Sequence, residues 1–213
     1  MPLRDALVGS LADRVLRAGA RRVAVDGVDG SGKTTFAAAL ALALEQRGTS
    51  VASVSVDDFH HPRAVRHGRG KDSPEGFWLD SYDYPTFRAE VLDPFGPDGS
   101  RRYRPAAHDV DTDELVHGGW VTVPADAVLV VDGIFLHRDE LTECWDFSIF
   151  LDVPFEVTAL RMAARDGTSP DPGDVSMRRY VEGQRIYLAA CAPRSRASVV
   201  IDNADPPAPL LAR

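Results

Sequence analysis

The chain has 213 residues, 44 % hydrophobic and 26 % charged, with a formal net charge of −8. That length buries a core without disulfides or a structural metal, the composition is foreign to disordered chains, and the acidic excess excludes a broad nucleic-acid surface. No run is apolar for long enough to span a bilayer, and Cys144 and Cys191 are too far apart for a C-x-x-C metal pair, so a cytoplasmic protein with buried, inert thiols is expected.

In chain order, Leu7, Leu11, Val15 and Leu16 recur at helical spacing and predict a helix within Met1 to Ala20. Arg22 to Val25 is a β-branched run that ends at Gly27, and Thr34 to Leu44 carries an Ala/Leu-rich helical pattern. Val51 to Val56 predicts a second strand, with Asp57 and Asp58 at its carboxyl end. The stretch from Pro62 to Val123 is rich in Pro, Gly and charge; it predicts one helical piece, Pro85 to Leu92, and a β-ribbon joining Arg102–Arg104 to Trp120–Val123. Long excursions of this kind in a compact domain are usually functional. Val128 to Val131 predicts a third strand, followed by Asp132 and Gly133; Phe147 to Leu151 a fourth, ending at Asp152; Val199 to Ile201 a fifth, ending at Asp202. Between the last two, Asp166 to Asp174 holds Gly167, Pro170, Pro172 and Gly173 between helical patterns and predicts a mobile flap. Near-continuous apolar strands are buried on both faces, so the expectation is one α/β domain over residues 1–213, with a five-stranded parallel sheet and helices on both sides. Ligands bind such sheets outside the carboxyl ends of the strands.

Gly27-Val28-Asp29-Gly30-Ser31-Gly32-Lys33-Thr34 fits G-x-x-x-x-G-K-S/T without a mismatch, with a strand before it and a helix after it. Glycines let successive backbone N–H groups turn inward on phosphates, and the helix N-terminus adds its positive end. Lys33, one of only two lysines, is expected to reach the β- and γ-phosphates of ATP, and the Thr34 hydroxyl to ligate Mg²⁺. The expected nucleotide-binding set is Gly27, Asp29, Gly30, Ser31, Gly32, Lys33, Thr34 and Thr35. No Asn-Lys-x-Asp guanine-reading motif is present, so other residues must separate a kinase from a switch or a motor.

Those residues carry a resemblance to the uridine/cytidine kinase family. Asp57-Asp58-Phe59-His60 resembles that family's Asp-Ser-Phe-Tyr segment, which implies that Asp57 faces a nucleoside 5′-hydroxyl and touches the Mg²⁺ shell, with Asp58 flanking it. Tyr82-Asp83-Tyr84-Pro85 is similar to Phe-Asp-His-Pro, whose Asp binds the sugar hydroxyls; Asp83 suits a helix start ahead of Pro85 and Thr86 equally well. Tyr103 and His108 have the spacing of the family's pyrimidine-reading pair, but Arg104-Pro105-Ala106-Ala107 replaces the usual acidic and aromatic residues between them. Asp132-Gly133 resembles the family's Glu-Gly, an acidic group acting on Mg²⁺. Arg161 and Arg165-Asp166 fall where the family opens its lid; Arg165 is the one assigned a catalytic role, while the stem of Arg161 also suits covering a helix face. The family's following Arg-Gly-Arg is absent, which leaves Arg178, Arg179 or Arg185 to meet transition-state charge.

The resemblance runs from about Val23 to Asn203 and implies a P-loop NTPase fold of the nucleoside and nucleotide kinase type. It implies ATP- and Mg²⁺-dependent phosphorylation of a nucleoside, uridine or cytidine first, with Asp57, Lys33 and Arg165 catalytic, Asp83, Tyr103 and His108 on the substrate, and Thr34, Asp57 and Asp132 on the metal. The excursion 62–123 is then the acceptor insertion and 166–174 the lid. Two alternatives stand beside this: another hydroxylated acceptor such as pantothenate or nicotinamide riboside, or a non-catalytic nucleotide-binding regulatory module. The expected partner is a small molecule rather than a nucleic acid or membrane, with homo-oligomerisation left open.

Overall fold

The structure, a computed structural model, describes residues 3–212. Helix α1 (Leu3–Arg17) precedes strand β1 (Arg22–Gly27), helix α2 (Lys33–Glu45) and strand β2 (Val51–Ser55). Met1 and Pro2 of the predicted first helix lie outside the described residues. The long excursion then carries helices α3 (Arg63–Arg66), α4 (Pro74–Asp80) and α5 (Tyr84–Phe87), and the short strands β3 (Arg102–Tyr103), β4 (His108–Asp109), β5 (Glu114–Leu115) and β6 (Val121–Thr122). After it come β7 (Val128–Gly133), β8 (Phe147–Asp152), helices α6 (Phe155–Asp166), α7 (Arg178–Cys191) and α8 (Pro193–Arg196), then β9 (Val199–Asp202) and β10 (Leu210–Leu211).

Six strands form the main sheet in the order β10-β9-β8-β1-β7-β2. The five predicted strands are its parallel members. The sixth, β10, pairs antiparallel with β9 and corrects the expected count of five. Its two leucines lie next to Pro206, Pro207 and Pro209, too short a run to show any period.

Alternation along the strands divides the interior in two. Val23, Val25, Val128 and Val130 pack against Leu11, Val15, Phe36 and Leu40 of α1 and α2. Ala24, Val54, Leu129 and Val131 look the other way, into a core made by Phe59, Phe87, Phe135 and Tyr187. The excursion adds Phe77, Tyr82, Val91, Leu92 and Phe95 to that core beside Phe87, at about 1.5–3 kcal/mol for each large apolar side chain fully buried.

Within the excursion, the predicted helix is a tight run of α5, a π-helical turn over Arg88–Leu92 and a 3₁₀ turn over Asp93–Phe95. The predicted ribbon is β3 with β6, with Arg102 opposite Thr122 and Tyr103 opposite Val121. A second ribbon, β4 with β5, and helix α4 had no sequence signal of comparable length. Helix α4 lies so close to α7 that a Cβ at Gly183 would fall 2.8 Å from both Phe77 Cδ1 and the Pro74 carbonyl oxygen. Among the described residues, no helix is long and apolar enough to cross a membrane.

Candidate active site

Strand β1 ends at Gly27 and α2 begins at Lys33, so the glycine loop spans the carboxyl edge of the sheet and a helix N-terminus. Gly30 has φ +74°, and a Cβ there would stand 2.7 Å from the Thr158 carbonyl oxygen, so no other residue fits. Lys33 Nζ donates to the Val28 carbonyl at 3.0 Å and stands 3.9 Å from Asp29, which arches the ammonium over the loop. The Ser31 hydroxyl is buried without a hydrogen-bond partner.

Remote side chains hold the loop in shape. Gln184 of α7 accepts from the Asp29 N–H at 2.6 Å, and Asn203 after β9 donates to the Ser31 carbonyl at 2.7 Å. Arg161 donates to the carbonyls of Gly30, Asn203 and Ala204. Behind the loop, Asp26 is fully buried and accepts from the Gly27 N–H at 2.7 Å and from the Tyr187 hydroxyl, with His137 Nδ1 at 2.7 Å. Asp26, Gln184 and Tyr187 carry no local motif and escaped the sequence reading; Asp26 stood directly before the loop, where an acidic residue at a strand end was the available signal.

Strand register brings the carboxylates to the loop. Asp132 pairs with Val25 on one side and Ser55 on the other, at the carboxyl ends of three adjacent strands. Thr34 Oγ1 donates to Asp132 Oδ2 at 2.7 Å across 98 residues of sequence. Asp57 sits in a 3₁₀ turn (Val56–Phe59) just beyond β2 and accepts from the Tyr82 hydroxyl at 2.7 Å. Burial raises the Asp132 carboxyl above the ordinary range, the Thr34 bond opposes it, and the Asp57 charge adds to the rise. Burial, then Asp57, raises Asp58 in the same direction. Burial also pushes the Tyr82 phenol well up, so it stays a donor to Asp57.

Thr34 and Asp132 present hard oxygens side by side, a donor set that fits Mg²⁺, which is usually held by one or two protein oxygens plus phosphates. Among the described residues, no three His, Cys, Asp or Glu side chains gather as an all-protein metal cage.

The raised Asp132 carboxyl makes a stability prediction. An acid whose folded pKa is raised contributes stability below its unfolded pKa and loses it as pH rises through the folded value, so ionised Asp132 is a cost at neutral pH. Asp132→Asn should raise the melting temperature of the nucleotide-free protein at pH 7; a gain of about 1 kcal/mol corresponds to about 2–4 °C at this size. The gain should shrink as pH falls and the wild-type carboxyl protonates. An unchanged or lower melting temperature at pH 7 would remove the claim.

On the acceptor side the expected residues are placed differently. Both Asp83 oxygens are engaged by Thr86, Oδ1 by its N–H at 3.0 Å and Oδ2 by its hydroxyl at 2.7 Å, which is the geometry of a helix cap. Asp83→Ala should therefore cost about 1 kcal/mol, read from the denaturant midpoint. Tyr103 is buried with its ring 5.3 Å from Phe95. His108 is buried with Nε2 3.3 Å from Asp113. Their segment meets the site through the backbone, where the Ala107 N–H donates to the Asp58 carbonyl at 2.9 Å. Arg165 lines the mouth of the phosphate cleft but forks onto Asp166, both bonds at 2.7 Å. Of the arginines left to meet transition-state charge, Arg179 donates to the Lys71 carbonyl at 2.7 Å and Arg185 pairs with Glu182 at 2.7 Å. Arg178 lines a cleft with the flap residues Pro172 to Asp174.

No protein-family profile and no curated protein matches the chain. Solved structures do. A candidate uridine kinase from Bacillus stearothermophilus is 24 % identical, with a TM-score of 0.71 over 91 % of this chain and 96 % of that one. A candidate fructose transport system kinase from Silicibacter sp. TM1040 is 25 % identical, with a TM-score of 0.68 over 86 % and 95 %. A D-glycerate 3-kinase from Cryptococcus neoformans var. grubii is 14 % identical, with a TM-score of 0.64 over 88 % and 89 %. The chain has the fold of the P-loop kinases, as the resemblance implied.

Proposed function

We propose that this chain, with its P-loop kinase fold, transfers the γ-phosphoryl group of ATP to a hydroxyl of a small molecule. The observation that carries the reading is the 2.7 Å contact between Thr34 and Asp132, with Asp57 next to it in the same electrostatic cluster. A glycine loop alone would serve a switch as well as a kinase; a second carboxylate, held by a phenol and beside the phosphate cradle, is what a transfer reaction needs.

In this reading, loop N–H groups and the α2 N-terminus bind the β- and γ-phosphates, and Lys33 turns from the Val28 carbonyl to bridge them. Thr34 and Asp132, with Asp57 alongside, would hold Mg²⁺, which neutralises phosphate charge when bound. Asp57, fixed by Tyr82, orients the acceptor hydroxyl and accepts its proton as the new O–P bond forms. The bond from the γ-phosphorus to the bridging oxygen breaks, and ADP leaves with that electron pair. Closure of the lid segment 166–174 would exclude water that would otherwise take the phosphoryl group.

For the acceptor, the motif resemblance and the Bacillus neighbour support uridine or cytidine. The burial of Tyr103 and His108 favours a second reading, a different hydroxylated metabolite. ADP release across a panel of nucleosides, pantothenate, nicotinamide riboside and sugars separates the two. ATP hydrolysis at the same rate with and without every acceptor would sink the transfer reading.

A further inference from the structure

Helix α7 touches both halves of the chain that meet at the phosphate loop. Its Arg179 donates to the Lys71 carbonyl of the excursion, and Gly183 lies tight against α4. Its Tyr187 donates to Asp26, which in turn accepts from the Gly27 N–H at the start of the loop. Gln184, three residues before Tyr187 and on the same side of the helix, is 1 % exposed.

Both ends of the Gln184 amide are in use. Oε1 accepts from the Asp29 N–H at 2.6 Å, and Nε2 donates to Asp29 Oδ2 at 3.3 Å and to the Tyr180 carbonyl at 3.0 Å. One orientation satisfies these partners, because turning the amide over would set its NH₂ against an N–H and its oxygen against a carboxylate and a carbonyl. The Asp29 carboxylate is thereby divided. Oδ2 is held by Gln184, while Oδ1 faces Lys33 Nζ at 3.9 Å, beyond hydrogen-bond reach.

That division bears on the chemistry of the loop. An ammonium closed onto a carboxylate in a short, charge-assisted bond has to break that bond before it can reach a phosphate. Two bonds from one buried side chain stop Asp29 from swinging onto Nζ, and Lys33 rests on the neutral Val28 carbonyl instead. The charges acting on Asp29 are mixed. Burial raises its carboxyl, Lys33 opposes the rise, Asp57 adds to it, Arg165 opposes it and Asp166 adds to it.

We infer that Gln184 is a positioning residue of the nucleotide site: by gripping the N–H and the carboxylate of Asp29 together, it fixes the loop and leaves Lys33 free to turn onto the β- and γ-phosphates. The inference rests on the nucleotide-binding half of the proposed function and deepens it. The chemistry calls for an amide. A glutamate of the same shape would, when ionised, set a second carboxylate against Asp29 Oδ2; when protonated, it would give that oxygen an O–H instead.

The test is calorimetric titration of the full chain with Mg²⁺ and a non-hydrolysable ATP analogue, without any acceptor, and with a melting curve to establish that each variant folds. Gln184→Glu should raise the Kd about tenfold or more at about pH 8. The ratio of its Kd to the wild-type value, in which titration of the nucleotide itself cancels, should fall toward one by about pH 5.5 as the new carboxyl protonates. Gln184→Met, which fills the space without the amide, should raise the Kd by a factor that does not change with pH. In Asp29→Asn/Gln184→Glu donor and acceptor are exchanged, and the pair should bind at least about fivefold more tightly than Gln184→Glu alone at about pH 8. A folded Gln184→Glu with an unchanged Kd at about pH 8, or with a weakening that neither low pH nor the second substitution relieves, overturns the inference and assigns the residue to the packing of α7. If Gln184→Glu does not fold, an unchanged Kd in Gln184→Met overturns the inference and a raised one upholds it. Wild-type binding that is indifferent to Gln184 removes this inference alone, whereas no binding by the wild type removes the proposed function with it.

Discussion

Asp57→Asn lowers turnover by about 10²–10⁴-fold while ATP affinity stays near the wild-type value, the scale expected for a positioned acid–base group. The carboxylate stands past the end of β2, outside the glycine loop, and its identified side-chain bond is to Tyr82 rather than to the phosphate cradle. Asparagine keeps an oxygen for that bond, so the turn survives and the proton acceptor is lost. Its removal also lifts the repulsion that Asp57 exerts on Asp58 and Asp132, so the nucleotide site should not weaken through lost structure. Single-turnover kinetics with a separate nucleotide titration check this. A fall in turnover only in proportion to a fall in ATP binding would place Asp57 in the cradle and out of the chemistry.

Phe135→Ala destabilises the fold by about 3–5 kcal/mol, the range for truncating a buried aromatic. Phe135 is fully buried and is the hub of an aromatic cluster: Trp78 at 4.9 Å, Tyr187 at 5.1 Å, Phe77 at 5.4 Å and Tyr82 at 6.4 Å between ring centres. Those partners come from α4, α7 and the excursion, so one side chain joins segments that share no strand pairing. Its backbone has φ +65°, a left-handed conformation that a non-glycine residue adopts only when its surroundings compel it. Alanine keeps the backbone cost and loses the packing that offsets it. Denaturant unfolding should show the midpoint falling with the m-value unchanged; a loss below about 1.5 kcal/mol would mean that the neighbouring rings close the cavity.

Chemistry encoded by neighbouring residues was legible in the sequence. The five parallel strands are apolar runs, and the glycine loop is a contiguous octet, so each could be read locally. The strand-end positions of Asp57 and Asp132 followed from the same runs. What sequence could not give is the pairing of distant groups. The Thr34–Asp132 bond depends on β1 and β7 lying side by side in register, and Gln184 reaches Asp29 across 155 residues. On the acceptor side, motif spacing cannot distinguish an aspartate that binds sugar from one that caps a helix, because Asp-x-Pro-Thr satisfies both; here both oxygens are on Thr86.

The excursion that follows β2 supplies Tyr82, Tyr84 and Trp78, whereas the phosphate cradle draws on β1, α2, α6 and the residue after β9. In the proposed reading, donor and acceptor halves are thus written in different stretches of the chain. Change in one stretch can redirect the phosphoryl group while the other goes on gripping the same nucleotide. For an engineer, grafting a foreign excursion between β2 and β7 is the economical way to give this scaffold a new client, provided the graft brings its own partner for Phe135.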